Sequence, residues 1–315
     1  MRTNIISMSG GKDSTALALL ALERGVENLR FIFADTGHEH QQTYNYIEYL
    51  RKALSIDVEV VRADFSRQMA VRRGNLQARW EKDGVPQSRI DGALEVIHPT
   101  GNPFLDLCLL KGRFPSTRAR FCSSELKHIP ISEIVLAELD KGNEVYSWQG
   151  VRAEESPSRA KLDELEEVGG GLWNYRPILH WTWDEVFAMH KKHGINPNPL
   201  YQQGMGRVGC MPCIHCRKEE LREIDMRFPK EIERVAEWER LVAKASKRGA
   251  SSFFASDKTP QGRDINTANK GTVTPMPLIH AVVEWSKTSG GGRHADMFYN
   301  TEEPALCSSI YGLCE

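Results

Sequence analysis

The chain has 315 residues, with 40% hydrophobic and 26% charged residues and a formal net charge of −1. That size accommodates one large or two modest domains, and the balance is that of an ordinary globular protein. The near-zero charge excludes a global bias toward nucleic acid or membrane, and no apolar run approaches the ~20 residues of a bilayer span. Lys12 and Asp13 follow the first apolar stretch too soon for a signal peptide, so the expected location is the cytoplasm.

In chain order, NIISMS reads as a buried strand. Asp13 to Arg24 reads as a helix with Ala16, Leu17, Leu20 and Ala21 on one side. LRFIFAD is a second strand, Gln41 to Leu54 a second helix, and DVEVVRAD a third strand. Residues 66–121 interrupt this alternation and are rich in arginine. From Arg62 to Pro130 there are 12 Lys/Arg against 7 Asp/Glu. EVYSWQGV is a later strand. WTWDEVFAMHKKHG is a helix, with Thr182 placed as its N-cap and Glu185 at the third helical position, the spacing of a capping box. Strands alternating with helices predict a parallel, doubly wound α/β sheet covered on both faces. Two domains are expected. The first is a nucleotide-binding domain over 1–217. The second, over 218–315, is a helical appendage broken at Pro229, with a loose segment at about 250–295 and a cysteine-containing tail.

The first strand runs into SGGKDS, residues 9–14, and the second into ADTG. In a parallel sheet both motifs face the crevice beyond the carboxyl ends of the strands. Gly10 and Gly11 permit a tight turn with N–H groups close to an anion, and the following helix adds the positive end of its dipole. Lys12 supplies a point charge; Ser9 and Ser14 supply hydroxyls. GxxxxGK[ST] is absent, so this is not a Walker A loop. An ordinary glycine turn before a helix is the plain alternative.

Seven cysteines in a chain this long do not make a disulfide scaffold. Cys108 and Cys122 are followed by Cys210, Cys213 and Cys216 in GCMPCIHC, then by Cys307 and Cys314 near the end. CMPCIHC places three thiols within reach of one metal centre.

SGGKDS in this setting resembles the PP-loop of the adenine nucleotide alpha hydrolases, the N-type ATP pyrophosphatases. The chain more specifically resembles the phosphoadenosine phosphosulfate (PAPS) reductase family. FADTGHEHQQTYNYIEYL, RFCSSELKHIP, GVRAEESPSRA and NPLYQQGMGRVGCMPC are similar to further family motifs in the same order, covering roughly residues 3–217. The resemblance implies an adenine nucleotide alpha hydrolase-like sheet. Ser9, Gly10, Gly11, Lys12, Asp13 and Ser14 would bind the phosphates, flanked by Asp35 and Gly37 and faced by Gly150 and Arg152. Arg152 and Arg159 suit phosphate or sulfate through paired donors, although Arg159 also has Glu155 at surface-pair spacing. Lys127 would neutralise a transferring group.

The family holds two chemistries. Its reductases attack a preactivated sulfate with a C-terminal cysteine, and their phosphate loop is degenerate. Its ATP pyrophosphatases keep the full loop, adenylate an acceptor and release pyrophosphate with the help of Mg2+. The intact loop here implies ATP, with PAPS as the alternative. The ending ALCSSIYGLCE inverts the reductase tail, which leaves Cys314 as nucleophile, a Cys307–Cys314 relay and an ordinary tail all open. Cys122 stands where iron–sulfur members carry a ligand, so Cys122, Cys210, Cys213 and Cys216 would complete a [4Fe–4S] site, with Zn2+ as the alternative and His215 in reserve. The expected function is ATP-dependent sulfur transfer similar to the DNA phosphorothioation members. A PAPS or adenosine phosphosulfate reductase is the runner-up, and a non-catalytic nucleotide sensor the third reading. The resemblance also implies a sulfur donor such as a cysteine desulfurase and leaves a nucleic-acid acceptor open; the arginine-rich insertion would either face its backbone or complete the nucleotide pocket. It implies no membrane partner and leaves an oligomer open.

Overall fold

A computed structural model describes residues 1–254 and 277–288 of the chain. The main elements begin with β1 (Arg2–Ser7), α1 (Lys12–Glu23), β2 (Leu29–Ala34), α2 (Gln41–Leu54) and β3 (Val58–Val61). Three helices follow: α3 (Ser66–Lys82), α4 (Gln87–Val96) and α5 (Pro103–Lys111). A π-helical turn, Ser124–His128, leads into α6 (Ile129–Asp140) and β4 (Glu144–Trp148). Then come β5 (Leu165–Gly169), β6 (Leu172–Tyr175), α7 (Trp183–Lys192), α8 (Lys218–Arg227), α9 (Pro229–Ala245) and α10 (Ile279–Ser286).

The chain divides into two compact units. Within the described residues the first comprises 1–63 and 123–210, the second 64–122, 211–254 and 277–288. The chain passes from the first unit to the second at 63–64 and again at 210–211. The arginine-rich segment, however, groups with the C-terminal helices and not with the sheet.

The first unit is built on a six-stranded sheet in the order β3-β2-β1-β4-β6-β5. Every neighbouring pair is parallel except the β5–β6 hairpin at the edge. Alternation within the strands sends side chains to two cores. Ile6, Phe31 and Phe33 pack with α1, with Tyr46, Ile47 and Leu50 of α2, and with Val186 and Met189 of α7. Ile5, Ile32 and Val145 pack on the other face with Ile131 and Val135 of α6. The sheet is therefore covered on both sides, as a parallel sheet requires. α1 is buried all round from Lys12 to Ala21, where the sequence pattern indicated one apolar side. The capping box of α7 is present as expected: Thr182 accepts from Glu185 N and the Glu185 carboxylate accepts from Thr182 N.

In the second unit, aromatic packing joins α5, α9 and the chain after it. Phe104 stacks on Trp238 with ring centroids 5.5 Å apart, and Phe253 meets Phe114 edge-on at 5.4 Å. The buried Glu239 carboxylate of α9 accepts from the backbone N–H groups of Phe253 and Ile279, each at 2.8 Å. No helix among the described residues is long and apolar enough to cross a membrane.

Candidate functional site

The site of the first unit begins where β1, the strand between β2 and β4, turns onto α1. Gly10 takes φ +80°, and Gly11 in extended conformation caps the helix. The turn closes on its own hydroxyls. Ser9 Oγ accepts from Gly11 N at 3.1 Å and lies 3.0 Å from Ser14 Oγ, while Ser14 and Thr15 hydroxyls both donate to the Gly11 carbonyl. Gly150, just beyond β4, packs so close that a Cβ there would stand 3.3 Å from the Asp13 carbonyl carbon.

Lys12 and Asp13 are both buried, at 7% and 6% exposure. Lys12 Nζ lies 2.6 Å from Asp13 Oδ2, and Arg152 Nε donates to Asp13 Oδ1 at 2.7 Å. One carboxylate thus gathers two cations. The Arg152 guanidinium reaches Glu154 through Nη1 at 2.5 Å, and the same Glu154 oxygen accepts from Trp183 N at the start of α7. Arg159, expected to face the ligand, pairs with Glu155.

Three side chains that the sequence reading did not single out hold the backbone of the loop. Asn198 Nδ2 donates to the Gly10 carbonyl at 3.1 Å, the Tyr201 hydroxyl accepts from Lys12 N at 2.9 Å, and His190 Nε2 lies 2.9 Å from the Lys12 carbonyl. Asn198 and Tyr201 belong to the NPLY stretch, whose presence was a usable signal. His190 carries no pattern of its own.

β2 ends in the adjacent ADTG turn. Asp35 Oδ1 accepts from Gly37 N at 2.9 Å and from Tyr44 OH at 2.7 Å, and Oδ2 pairs with Arg62. Burial and the nearby Glu39 push the Tyr44 phenol up, so it stays a donor. Gly37 at φ +75° makes the turn. Glu39, buried beneath, accepts from Thr36 N and the Thr36 hydroxyl, and its Oε1 lies 3.8 Å from Cys210 Sγ. An isolated antiparallel bridge joins Glu39 to Cys210.

Lys127 is half-buried on the π-helical turn. Cys108 is a buried core thiol, its pKa raised by burial. Cys122, Cys210, Cys213 and Cys216 are each partly buried. Cys210 lies in the first unit and the other three in the second. Among the described residues, no group of three or more His, Cys, Asp or Glu side chains is placed to hold a metal ion. Cys307 and Cys314 lie outside the described residues, as do 255–276 and 289–295 of the loose segment.

The arrangement at residues 9–14 has the form of α/β domains that receive a phosphate-bearing ligand at the carboxyl edge of a parallel sheet. Residues 3–216 match the model of the phosphoadenosine phosphosulfate reductase domain, and the chain belongs to that family. An uncharacterized 37.8 kDa protein of Escherichia phage 186 is 51% identical, over 99% of this chain and 96% of its own length. A phosphoadenosine 5'-phosphosulfate reductase of Alteromonas mediterranea is 26% identical, over 72% of this chain and 75% of its own. Among solved structures, a PAPS reductase from Candida auris in complex with phosphate is 17% identical with a TM-score of 0.39, covering 66% of this chain and 81% of its own.

Proposed function

We propose that the chain is an ATP-dependent sulfur transferase. ATP would sit on Ser9–Ser14, and an oxygen of the acceptor would attack the α-phosphorus as the bond to pyrophosphate breaks. A sulfur nucleophile would then attack the activated carbon, with AMP leaving. The observation that supports this reading is the full SGGKDS stretch folded as a glycine turn onto a helix N-terminus, with Lys12 and Arg152 both held on Asp13. Two cations sharing one buried carboxylate suit an incoming polyanion, because each phosphate oxygen gains a charge-assisted donor. Arg152 would keep a phosphoryl group oriented and Lys12 would follow the charge that develops on the leaving pyrophosphate. Magnesium, carried on the triphosphate, would supply further neutralisation of that charge.

The test is anaerobic calorimetry of the full chain with ATP–magnesium and with PAPS, followed by assay of pyrophosphate release. A preference of roughly a hundredfold, about 2.8 kcal/mol, separates the two ligands clearly. Tighter ATP with acceptor-dependent pyrophosphate supports the transferase. Tighter PAPS establishes the second reading, a PAPS reductase, which the relatives of that name favour. Tight ATP without turnover leaves the sensor. A [4Fe–4S] cluster or zinc would take Cys122, Cys210, Cys213 and Cys216 as ligands; iron, sulfide and zinc analysis of the anaerobic protein decides that part separately.

A further inference from the structure

We propose that His190 is a positioning residue for the phosphate loop, fixing the Lys12 peptide through a hydrogen bond from its Nε2–H to the Lys12 carbonyl. This rests on residues 9–14 being the phosphate loop of the proposed function. His190 stands on α7 at 1% exposure, among Val186, Met189 and Ile195, where an aliphatic side chain would fill the same space. Its Nε2 lies 2.9 Å from the Lys12 oxygen, whereas its Nδ1 is buried with no hydrogen-bond partner. An unsatisfied buried nitrogen costs stability, so packing alone does not account for an imidazole here.

The first acceptor of α1 is the Gly11 carbonyl, which takes Thr15 N; the Lys12 carbonyl is the next in the helix and has a second lone pair for the imidazole. The bond is therefore dispensable for the helix and ties the Lys12 peptide to α7. Burial lowers the His190 pKa, which favours the neutral ring, and the proposal places its proton on Nε2, facing the Lys12 oxygen. Asn198 on the Gly10 carbonyl and Tyr201 on Lys12 N complete the hold. With the Gly10 carbonyl turned to Asn198 and the Lys12 carbonyl running along α1, an anion at the loop meets the helix N-terminus and the ammonium instead of carbonyl oxygen. The sequence span from His190 to Tyr201 thus acts as a backing for the loop.

The experiment compares wild type, His190→Leu and His190→Gln, the glutamine carrying an N–H where Nε2 stands. Hydrogen exchange of residues 9–14 and calorimetry with ATP–magnesium and PAPS are measured, with the wild-type His190 ring nitrogens observed by 15N NMR. The expected result is a neutral ring protonated at Nε2. The leucine variant should exchange faster and bind nucleotide more weakly, each by roughly tenfold, the scale of one hydrogen bond, and glutamine should restore both. A folded leucine variant indistinguishable from wild type, or glutamine behaving as leucine does, overturns the proposal. If wild type binds neither nucleotide, the functional reading fails, and loop exchange and the ring tautomer still judge His190. If the leucine variant does not fold, a ring protonated on Nδ1 instead of Nε2 overturns the proposal on the wild type alone.

Discussion

Gly10→Ala isolates what the turn demands of its first glycine. The residue sits at φ +80°, where an L side chain costs about 1–2 kcal/mol. The added Cβ would also stand 2.9 Å from Thr43 Cγ2, with Ile47 Cδ1 at 3.6 Å. Thr43 is fully buried on α2, so it gives way only by moving a packed helix, and overpacking of this kind costs about 1–3 kcal/mol. The substitution should therefore destabilise by about 2–4 kcal/mol in urea denaturation and weaken nucleotide binding. Thr43→Ser removes the opposing methyl and alone costs about 1 kcal/mol. Combined with Gly10→Ala it should relieve the clash and leave only the backbone strain, a favourable coupling of about 1–2 kcal/mol in the double-mutant cycle. Additive single effects, or a Gly10→Ala protein as stable as wild type, would refute the close approach on which the argument stands.

Three further outcomes are expected. Arg152→Lys keeps the charge but cannot reach Asp13 and Glu154 together, so calorimetry should show nucleotide binding weakened about tenfold or more. Glu239 in the second unit has its pKa pushed up by burial to about 7 from the ordinary 4.5, against the backbone donors that favour its charged form. A raised carboxyl stabilises the fold below pH 4.5 and loses that contribution as the pH rises through 7, by an amount of order 3 kcal/mol; Glu239→Gln should flatten this slope when stability is measured from pH 4 to 8. Thr182→Ala removes the side-chain acceptor for Glu185 N and should cost about 1 kcal/mol in the same denaturation assay, with nucleotide affinity unchanged.

Elements with a local cause were legible in the sequence. α2 falls on Gln41–Leu54 as its pattern indicated, and the α7 cap was written in Thr182 and Glu185. The β5–β6 hairpin was not read, because its Glu166 and Glu167 resemble a solvated stretch and three glycines obscure the strand ends. Only its place at the sheet edge makes those carboxylates tolerable. The burial of α1 on every side has a similar origin: its surroundings come from α2, α7 and the sheet, none visible in its own periodicity. The loop's glycines, Lys12 and Asp13 carried a signal because together they form a stretch that resembles a family motif. His190 and Asn198 bond to backbone, which every residue offers, so their targets became visible only in three dimensions. Cysteine spacing likewise indicated which thiols lie near in sequence, but not whether they converge.

The asymmetry of the two cations follows from their anchors. Arg152 is held through Nε by Asp13 and through Nη1 by Glu154, and Glu154 is tied to the first N–H of α7. Moving the guanidinium would break a chain of bonds that also seats the helix carrying His190. Lys12 has a single ion pair at 2.6 Å on a flexible stem, and its backbone, not its ammonium, is what His190 and Tyr201 hold. An arriving phosphate can therefore draw the ammonium away from Asp13 without disturbing the loop, while Arg152 remains on the carboxylate and keeps it compensated. Under the proposed function, a guanidinium held at two carboxylates would orient the phosphate, and an ammonium on a single pair would answer the developing charge.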